Sequence, residues 1–150
     1  MSDRGPRARQ ARARPATAYA DTNVFIALLV GPGHSLHESA LSIFRRVADG
    51  ELVLIVTPVI VAELVYVGRS LLRWTRGVAA DRLGQLLSAD GLLVAEAATV
   101  RRALRLYGDR SRLDFADAYL AAAALEVGPA AVASFDAGLD TVEGVRRISA

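Results

Sequence analysis

Four carboxylates stand inside or directly beside strongly apolar stretches of this 150-residue chain. Asp21 and Asp136 each close an apolar run, whereas Glu63 and Asp117 lie within such runs. None of them has an arginine three or four positions away, so a neutralising partner has to come from elsewhere in the fold. A buried carboxylate without a partner costs several kcal/mol, and a divalent cation shared among several carboxylates keeps them all ionised. The pattern therefore predicts a metal site.

The residue types indicate which metal this site would take. An all-oxygen, carboxylate-rich site prefers Mg²⁺ or Mn²⁺ to zinc. Such an ion lowers the pKa of a bound water and offsets the charge of a phosphate under attack. The chain contains no cysteine, which excludes disulfides, thiolate metal sites and cysteine nucleophiles. The carboxylates thus favour metal-activated hydrolysis over thiol chemistry.

The elements that carry these carboxylates can be read from the apolar spacing. A short strand precedes Asp21, and Asp21-Thr22-Asn23 offers capping side chains for a helix through Val30. Ser35 and Glu38 form a capping box, which predicts the start of the next helix. Further helices are predicted at residues 58–72, 78–87, 100–107 and 114–127, and further strands at residues 52–56, 92–94, 131–133 and 145–148.

Strands written as continuous apolar runs thus alternate with helices along the chain. This order predicts an α/β fold in α/β/α layers, with a central, mostly parallel sheet flanked by helices. In such sheets ligands bind beyond the carboxyl ends of the strands. Asp21 and Asp136 fall at that end of their strands, while Glu63 and Asp117 lie in helices. We expect the four distant positions to converge on one pocket.

Each carboxylate sits in a short motif, and the motifs follow one another in a definite order. They are Asp21-Thr22-Asn23 after the first strand, Val61-Ala62-Glu63-Leu64, Asp114-Phe115-Ala116-Asp117-Ala118 and Ser134-Phe135-Asp136. In this order and on these elements, they resemble the PIN-domain nucleases, and among them the VapC-type toxins of bacterial toxin–antitoxin pairs. The resemblance covers about residues 18–149 and implies a PIN-like fold for a nuclease domain at residues 18–150.

The resemblance also implies roles for individual residues. The catalytic, metal-binding quartet falls on Asp21, Glu63, Asp117 and Asp136. Asn23 corresponds to the polar residue that supports the first aspartate, and Ser134 replaces the threonine usual in the family two positions before the last one. Asp114 lies one turn before Asp117 on the same helical face, which makes it a candidate fifth carboxylate of the pocket.

The function that the resemblance implies is a Mg²⁺- or Mn²⁺-dependent endoribonuclease. A metal-activated water would hydrolyse the RNA phosphodiester and leave 5′-phosphate and 3′-hydroxyl ends. The family further implies a homodimer and a small inhibitory antitoxin protein as partner.

Two other functions fit an α/β fold with an acidic pocket. A phosphohydrolase with Asp21 as aspartyl nucleophile would usually carry a second acid two residues on and a lysine near the pocket. This chain has Asn23 there and contains no lysine. A non-catalytic RNA- or protein-binding module of the same fold would be indicated by an incomplete quartet, and here the quartet is complete.

The charge of the chain is unevenly distributed. Residues 1–17 carry five arginines against one aspartate, a charge of +4, so the remainder of the +2 chain carries −2. Their composition predicts a disordered N-terminal arm, which is either an unimportant extension or a source of non-specific attraction to phosphate. No apolar run reaches the ~20 residues of a membrane span, and no signal peptide is recognisable. We therefore expect a cytoplasmic protein without a membrane partner.

Two further groups of residues have competing interpretations. Arg69, Arg73 and Arg76 form a basic stripe around Trp74, which suits either phosphate contact or a solvated face. His34 and His37 are three residues apart, as in some metal sites, but they flank a Gly-Pro-Gly loop. We interpret the two histidines as solvated loop residues.

Overall fold

The computed structural model describes residues 13–149 and shows alternating strands and helices. The strands are β1 (Ala16–Tyr19), β2 (Leu52–Val56), β3 (Leu92–Val94), β4 (Ala131–Ala133) and β5 (Arg146–Ile148). The helices are α1 (Thr22–Val30), α2 (His37–Ala48), α3 (Pro58–Ser70), α4 (Arg76–Leu87), α5 (Ala97–Asp109) and α6 (Phe115–Glu126), and a 3₁₀ helix covers Ala137–Thr141. Among the described residues, no helix combines the length and the apolar composition needed to cross a bilayer.

Every described strand pairing is parallel. β2 lies in the middle of a three-stranded sheet, with Ala16 of β1 opposite Leu52 and Leu92 of β3 opposite Leu54. β4 and β5 form a second, two-stranded sheet. The predicted α/β fold with a parallel sheet is therefore confirmed, and its strands are divided between two ladders.

The hydrophobic core is built from side chains of most elements. Its fully buried members include Phe25 of α1, Val56 of β2, Leu64 of α3, Leu83 of α4 and Leu113 in the loop before α6. Helix α6 turns a face of alanines into this core. Because alanine is small, α5 and α6 can pack closely along their length. The start of α6, where two of the predicted site residues lie, is thus attached to a rigid part of the molecule.

Two sequence expectations at element ends need correction. The capping box of Ser35 and Glu38 is wrong, since α2 begins at His37 with Leu36 as its cap residue and no capping side chain. The backbone N–H of Leu36 donates instead to His34 Nδ1 (3.1 Å), and this local turn delays the helix. The predicted arm ends too late, because β1 already begins at Ala16. The remainder of that prediction, for residues 1–12, lies outside the described residues.

Candidate metal centre

The first residue of α1 connects the predicted ligands Asp21 and Glu63. Asp21 is the cap residue of α1, and the buried Thr22 that follows it donates its hydroxyl hydrogen to Glu63 Oε2 on α3. Asn23 Nδ2 donates to Asp21 Oδ2 at 3.2 Å, so it holds the first carboxylate as the sequence motif suggested. Asp21 therefore directly precedes the residue that bonds to Glu63, and we refer to these two carboxylates as the Asp21–Glu63 pair.

The second pair lies at the start of α6. Asp117 is in the first turn of this helix, and Asp114 is its cap residue. The pKa of Asp117 is raised above its ordinary value, first by burial, then by a hydrogen bond and charge repulsion with Asp136, and last by repulsion from Asp114. Asp117, Asp136 and Asp114 are thus close enough for their charges to interact.

A tight turn after β4 holds Asp136 in this position. The backbone N–H of Asp136 donates to Ser134 Oγ at 3.0 Å, and Asp136 Oδ1 accepts from the N–H of Gly138 at 2.7 Å. The carboxylate thereby caps the short 3₁₀ helix, which the sequence did not predict. Gly138 is required here, because a Cβ would lie inside van der Waals contact of the Arg112 carbonyl oxygen. Ser134 therefore contacts the backbone of Asp136, and the role that the resemblance implies for it stays a prediction.

The expected burial of the quartet is only partly right. Asp21, Glu63 and Asp136 are exposed, and Asp117 alone is partly buried. Glu63 is exposed because α3 turns Val61, Leu64 and Val65 into the core and leaves the position between them outside. Water, and not a closed apolar pocket, therefore surrounds most of these carboxylates.

The residues fit a hard divalent cation in their chemistry but form two separate pairs. All four side chains offer carboxylate oxygens, the ligands that Mg²⁺ and Mn²⁺ prefer. Within residues 13–149, however, no group of three or more acidic or histidine side chains stands close enough together to hold a metal ion. The expected convergence of all four on one pocket is thus seen only as the Asp21–Glu63 and Asp117–Asp136 pairs.

Some contacts around the site were not apparent from the sequence. Thr22 is one, although it lies within the first motif. Another is the hydrogen bond that the Tyr119 hydroxyl donates to Glu96, which follows β3 and has a left-handed backbone with φ of 54°. Burial and this carboxylate raise the pKa of Tyr119 to about 12. The two residues are far apart in sequence, so no local pattern could reveal the pair.

The histidines and the basic stripe are engaged with the backbone. His34 accepts from the Leu36 N–H, and the His37 ring contacts the Ala27 carbonyl oxygen at 2.9 Å. Their interpretation as solvated loop residues is thus only partly right. Arg69 donates to the carbonyl oxygen of Trp74, and Arg76 donates to three backbone carbonyl groups. Neither interpretation of the stripe, phosphate contact or solvated face, foresaw these bonds.

Comparison with known proteins gives one match. A family model described as PIN domain matches residues 18–145, which include both carboxylate pairs and all but the ends of the described chain. No curated protein and no solved structure matches the sequence.

Proposed function

We propose that this chain, which belongs to the PIN domain family, is a metal-dependent endoribonuclease and the toxin of a toxin–antitoxin pair. PIN domains are typically nucleases, so membership of this family supports a hydrolase that acts on phosphodiester bonds. The observation that carries the finer proposal is the meeting of Asp117 and Asp136. When both carboxylates are ionised they repel each other, and a divalent cation bound between them would offset that repulsion.

In this proposal the Asp21–Glu63 and Asp117–Asp136 pairs hold Mg²⁺ or Mn²⁺ between them. When bound, the ion supplies an activated water and offsets the charge of the scissile phosphate. The chain's own residues set the position of the ligands. Asn23 orients Asp21, Thr22 orients Glu63, and Ser134 and Gly138 orient Asp136.

The same carboxylates repel RNA while no cation is present. None of them has an arginine partner among the described salt bridges, although Arg147 is near enough to Asp136 for their charges to interact, so the site presents negative charge to an approaching phosphate. We therefore expect both RNA binding at these carboxylates and RNA cleavage to depend on metal. RNA as the substrate rests on the family resemblance alone.

We also propose that the protein acts in the cytoplasm, as a homodimer restrained by a small antitoxin protein. An apolar groove of about 310 Å³ between α3 and α6 supports a protein partner. It is lined by Pro58, Val59, Ala62, Phe115, Ala116, Tyr119 and Leu120. Val59 at its rim and Tyr66 further along α3 are exposed, at 67% and 72%. Apolar surface of this kind typically marks a contact with another protein.

The test is cleavage of single-stranded RNA by the purified protein with and without Mg²⁺ or Mn²⁺. Asp21→Asn, Glu63→Gln and Asp117→Asn should each abolish cleavage and leave the fold intact, since each removes a charged ligand at nearly constant volume. Asp81→Asn is the matched control, because Asp81 is an exposed acid on α4, a helix that carries none of the four carboxylates, and it should cleave like the wild type. Full activity in any of the three variants would refute the quartet, and a phosphorylated Asp21 would indicate the phosphohydrolase instead.

A further inference from the structure

We infer that Arg76 is a positioning residue for the metal centre, through the loop that joins α5 to α6. The inference rests on the proposed nuclease function, to which it adds a residue outside the acidic motifs. Arg76 lies at the start of α4, at least 31 positions before the groups that it contacts. It touches no carboxylate of the quartet and acts through the backbone that carries them.

The Arg76 guanidinium donates hydrogen bonds to three carbonyl oxygens at the end of α5 and in the following loop. Its Nη2 donates to the carbonyl oxygen of Tyr107 at 3.0 Å, to that of Arg110 at 2.9 Å and to that of Leu113. Nε adds a second bond to Tyr107 at 3.2 Å. The Tyr107 carbonyl lies in the last turn of α5, where carbonyl groups lack a partner within the helix and a cation is favoured by the helix dipole. The Arg110 carbonyl also accepts from the Leu113 N–H at 3.2 Å. One side chain thus fixes residues 107–113.

Aromatic packing extends this attachment into α6. The guanidinium carbon lies 3.9 Å from the centre of the Tyr107 ring, a cation–π contact. The Tyr107 ring in turn meets the Phe115 ring edge to face, with centroids 6.1 Å apart. Phe115 is the first residue of α6 and directly follows Asp114, two positions before Asp117. The position of the second carboxylate pair therefore depends on the stack that begins at Arg76.

The same loop also receives Asp136. Gly138 packs so closely on the Arg112 carbonyl group that no side chain fits between them, and its N–H donates to Asp136 Oδ1. Arg112 lies between Arg110 and Leu113, the two loop residues whose carbonyl groups Arg76 holds. The loop therefore contacts both the start of α6, which carries Asp117, and the turn that holds Asp136. The distance between the two carboxylates thus depends on the loop backbone, which Arg76 holds in place.

The first test measures Mn²⁺ affinity by calorimetry and RNA cleavage kinetics for Arg76→Ala, Arg76→Lys and Gly138→Ala. Lysine keeps the charge but not the fork that reaches several carbonyl groups. We expect each variant to bind Mn²⁺ roughly 10- to 100-fold more weakly, the usual effect of removing a group that orients a metal ligand. The kcat should fall with it, while KM for RNA at saturating Mn²⁺ should not change, because Arg76 faces the loop and not the substrate.

Two variants with matched chemistry serve as controls. Arg82→Ala removes another α4 arginine that stacks on an aromatic ring, that of Trp74 at 5.1 Å, but does not contact the loop. Gly84→Ala adds a methyl group where a Cβ meets nothing within 4 Å. Both controls should bind Mn²⁺ like the wild type. Folded Arg76 and Gly138 variants with wild-type Mn²⁺ affinity would overturn the inference.

A second measurement separates this inference from the proposed function. Amide hydrogen exchange should accelerate at Leu113, Ala118 and Gly138 in Arg76→Ala. The Leu113 N–H bonds to Arg110 within the loop, the Ala118 N–H bonds to the last loop residue, Asp114, and Gly138 packs against the Arg112 carbonyl group. The amide of Leu54 in the central strand should not change. A wild type that neither binds Mn²⁺ nor cleaves RNA would refute the nuclease and leave this measurement valid. Unchanged exchange at the three amides would refute the positioning role, and Arg76→Lys carries the same test if Arg76→Ala does not fold.

Discussion

Asp117 differs from the other predicted ligands in that it is partly buried and faces two further carboxylates. Burial disfavours its ionised form, and Asp136 and Asp114 add to the effect. Its pKa is therefore higher in the folded protein than in the unfolded chain, where the pKa of an aspartate is about 4. At neutral pH, without metal, the ionised side chain works against folding.

This shift predicts a pH dependence of stability. A group whose pKa is raised by folding contributes stability that is fully present below its unfolded pKa and is lost as the pH rises through its folded pKa. The metal-free protein should therefore lose stability from this source as the pH rises above about 4. Thermal melts in a chelating buffer, from pH 4 to pH 7, measure the loss.

Asp117→Asn provides the complementary prediction at pH 7. Without metal the variant should melt at a higher temperature than the wild type, because it removes a charge that repels Asp136. Millimolar Mn²⁺ should raise the midpoint of the wild type more than that of the variant. A variant that is simply less stable, in a protein that does not respond to Mn²⁺, would mean that these carboxylates serve as structural hydrogen-bond partners.

The sequence indicates the four candidate carboxylates but neither their arrangement as two pairs nor the residues that support them. Short motifs brought out Asp21, Glu63, Asp117 and Asp136, because acids in apolar stretches are locally conspicuous. Arg76 and Gly138 act through carbonyl groups more than twenty positions away. A carbonyl group is present at every position, so the sequence contains no signal for which of them an arginine will hold.

Among the helices, two glycines test how tightly α3 and α4 are packed, because one has no room for a side chain and the other has open space beside it. A Cβ at Gly68 of α3 would lie 2.7 Å from Trp74 Cε3, whereas a Cβ at Gly84 of α4 meets nothing within 4 Å. Gly68→Ala should therefore destabilise the protein by roughly 1–3 kcal/mol through overpacking. Gly84→Ala should stabilise it by about 0.5–1 kcal/mol through helix propensity.

Urea unfolding of the wild type and the two variants measures these changes in the free energy of unfolding. The prediction requires the two substitutions to change the free energy of unfolding in opposite directions. Equal effects would show that the Trp74 ring can move away from α3, although the Trp74 N–H donates to the Gly68 carbonyl oxygen at 2.9 Å.

Elements that are set by apolar runs were predictable, and those set by single polar contacts were not. The strands at residues 52–56, 92–94 and 131–133 have the predicted bounds. In contrast, the start of α2 was moved by the His34 side chain, and the 3₁₀ helix depends on Asp136 and the close approach of Gly138. A buried strand requires several consecutive apolar residues, which are visible in the sequence. The position of a turn can depend on a single hydrogen bond, which is not.

At the scale of the whole molecule, the arginine-rich N-terminus and β1 can be separated by truncation. Residues 1–12 contain four arginines and no valine, leucine, isoleucine or aromatic side chain. Deleting them should leave the thermal midpoint unchanged. It should also make the salt dependence of RNA affinity shallower, by about 0.7 in slope for each phosphate that these arginines neutralise in the full-length protein.

Deleting residues 1–17 should behave differently, because it also removes Ala16 and Thr17, which pair with Leu52 and Val53 of β2. Half of the β1–β2 ladder would be removed, so the midpoint should fall. A clear loss of stability already on removal of residues 1–12 would instead place part of that segment in the folded domain or in a dimer contact.

The separation of the two carboxylate pairs along the chain affects when the protein can become active during its synthesis. β1 leaves the ribosome before its partner β2, which begins 36 positions later, at Leu52 opposite Ala16. Asp136 follows β4, which pairs with β5 at residues 146–148. A nascent chain that has not yet reached those residues should therefore lack the second pair. If the protein cleaves RNA, a nascent chain should therefore be unable to cleave its own message until residues 146–148 have left the ribosome.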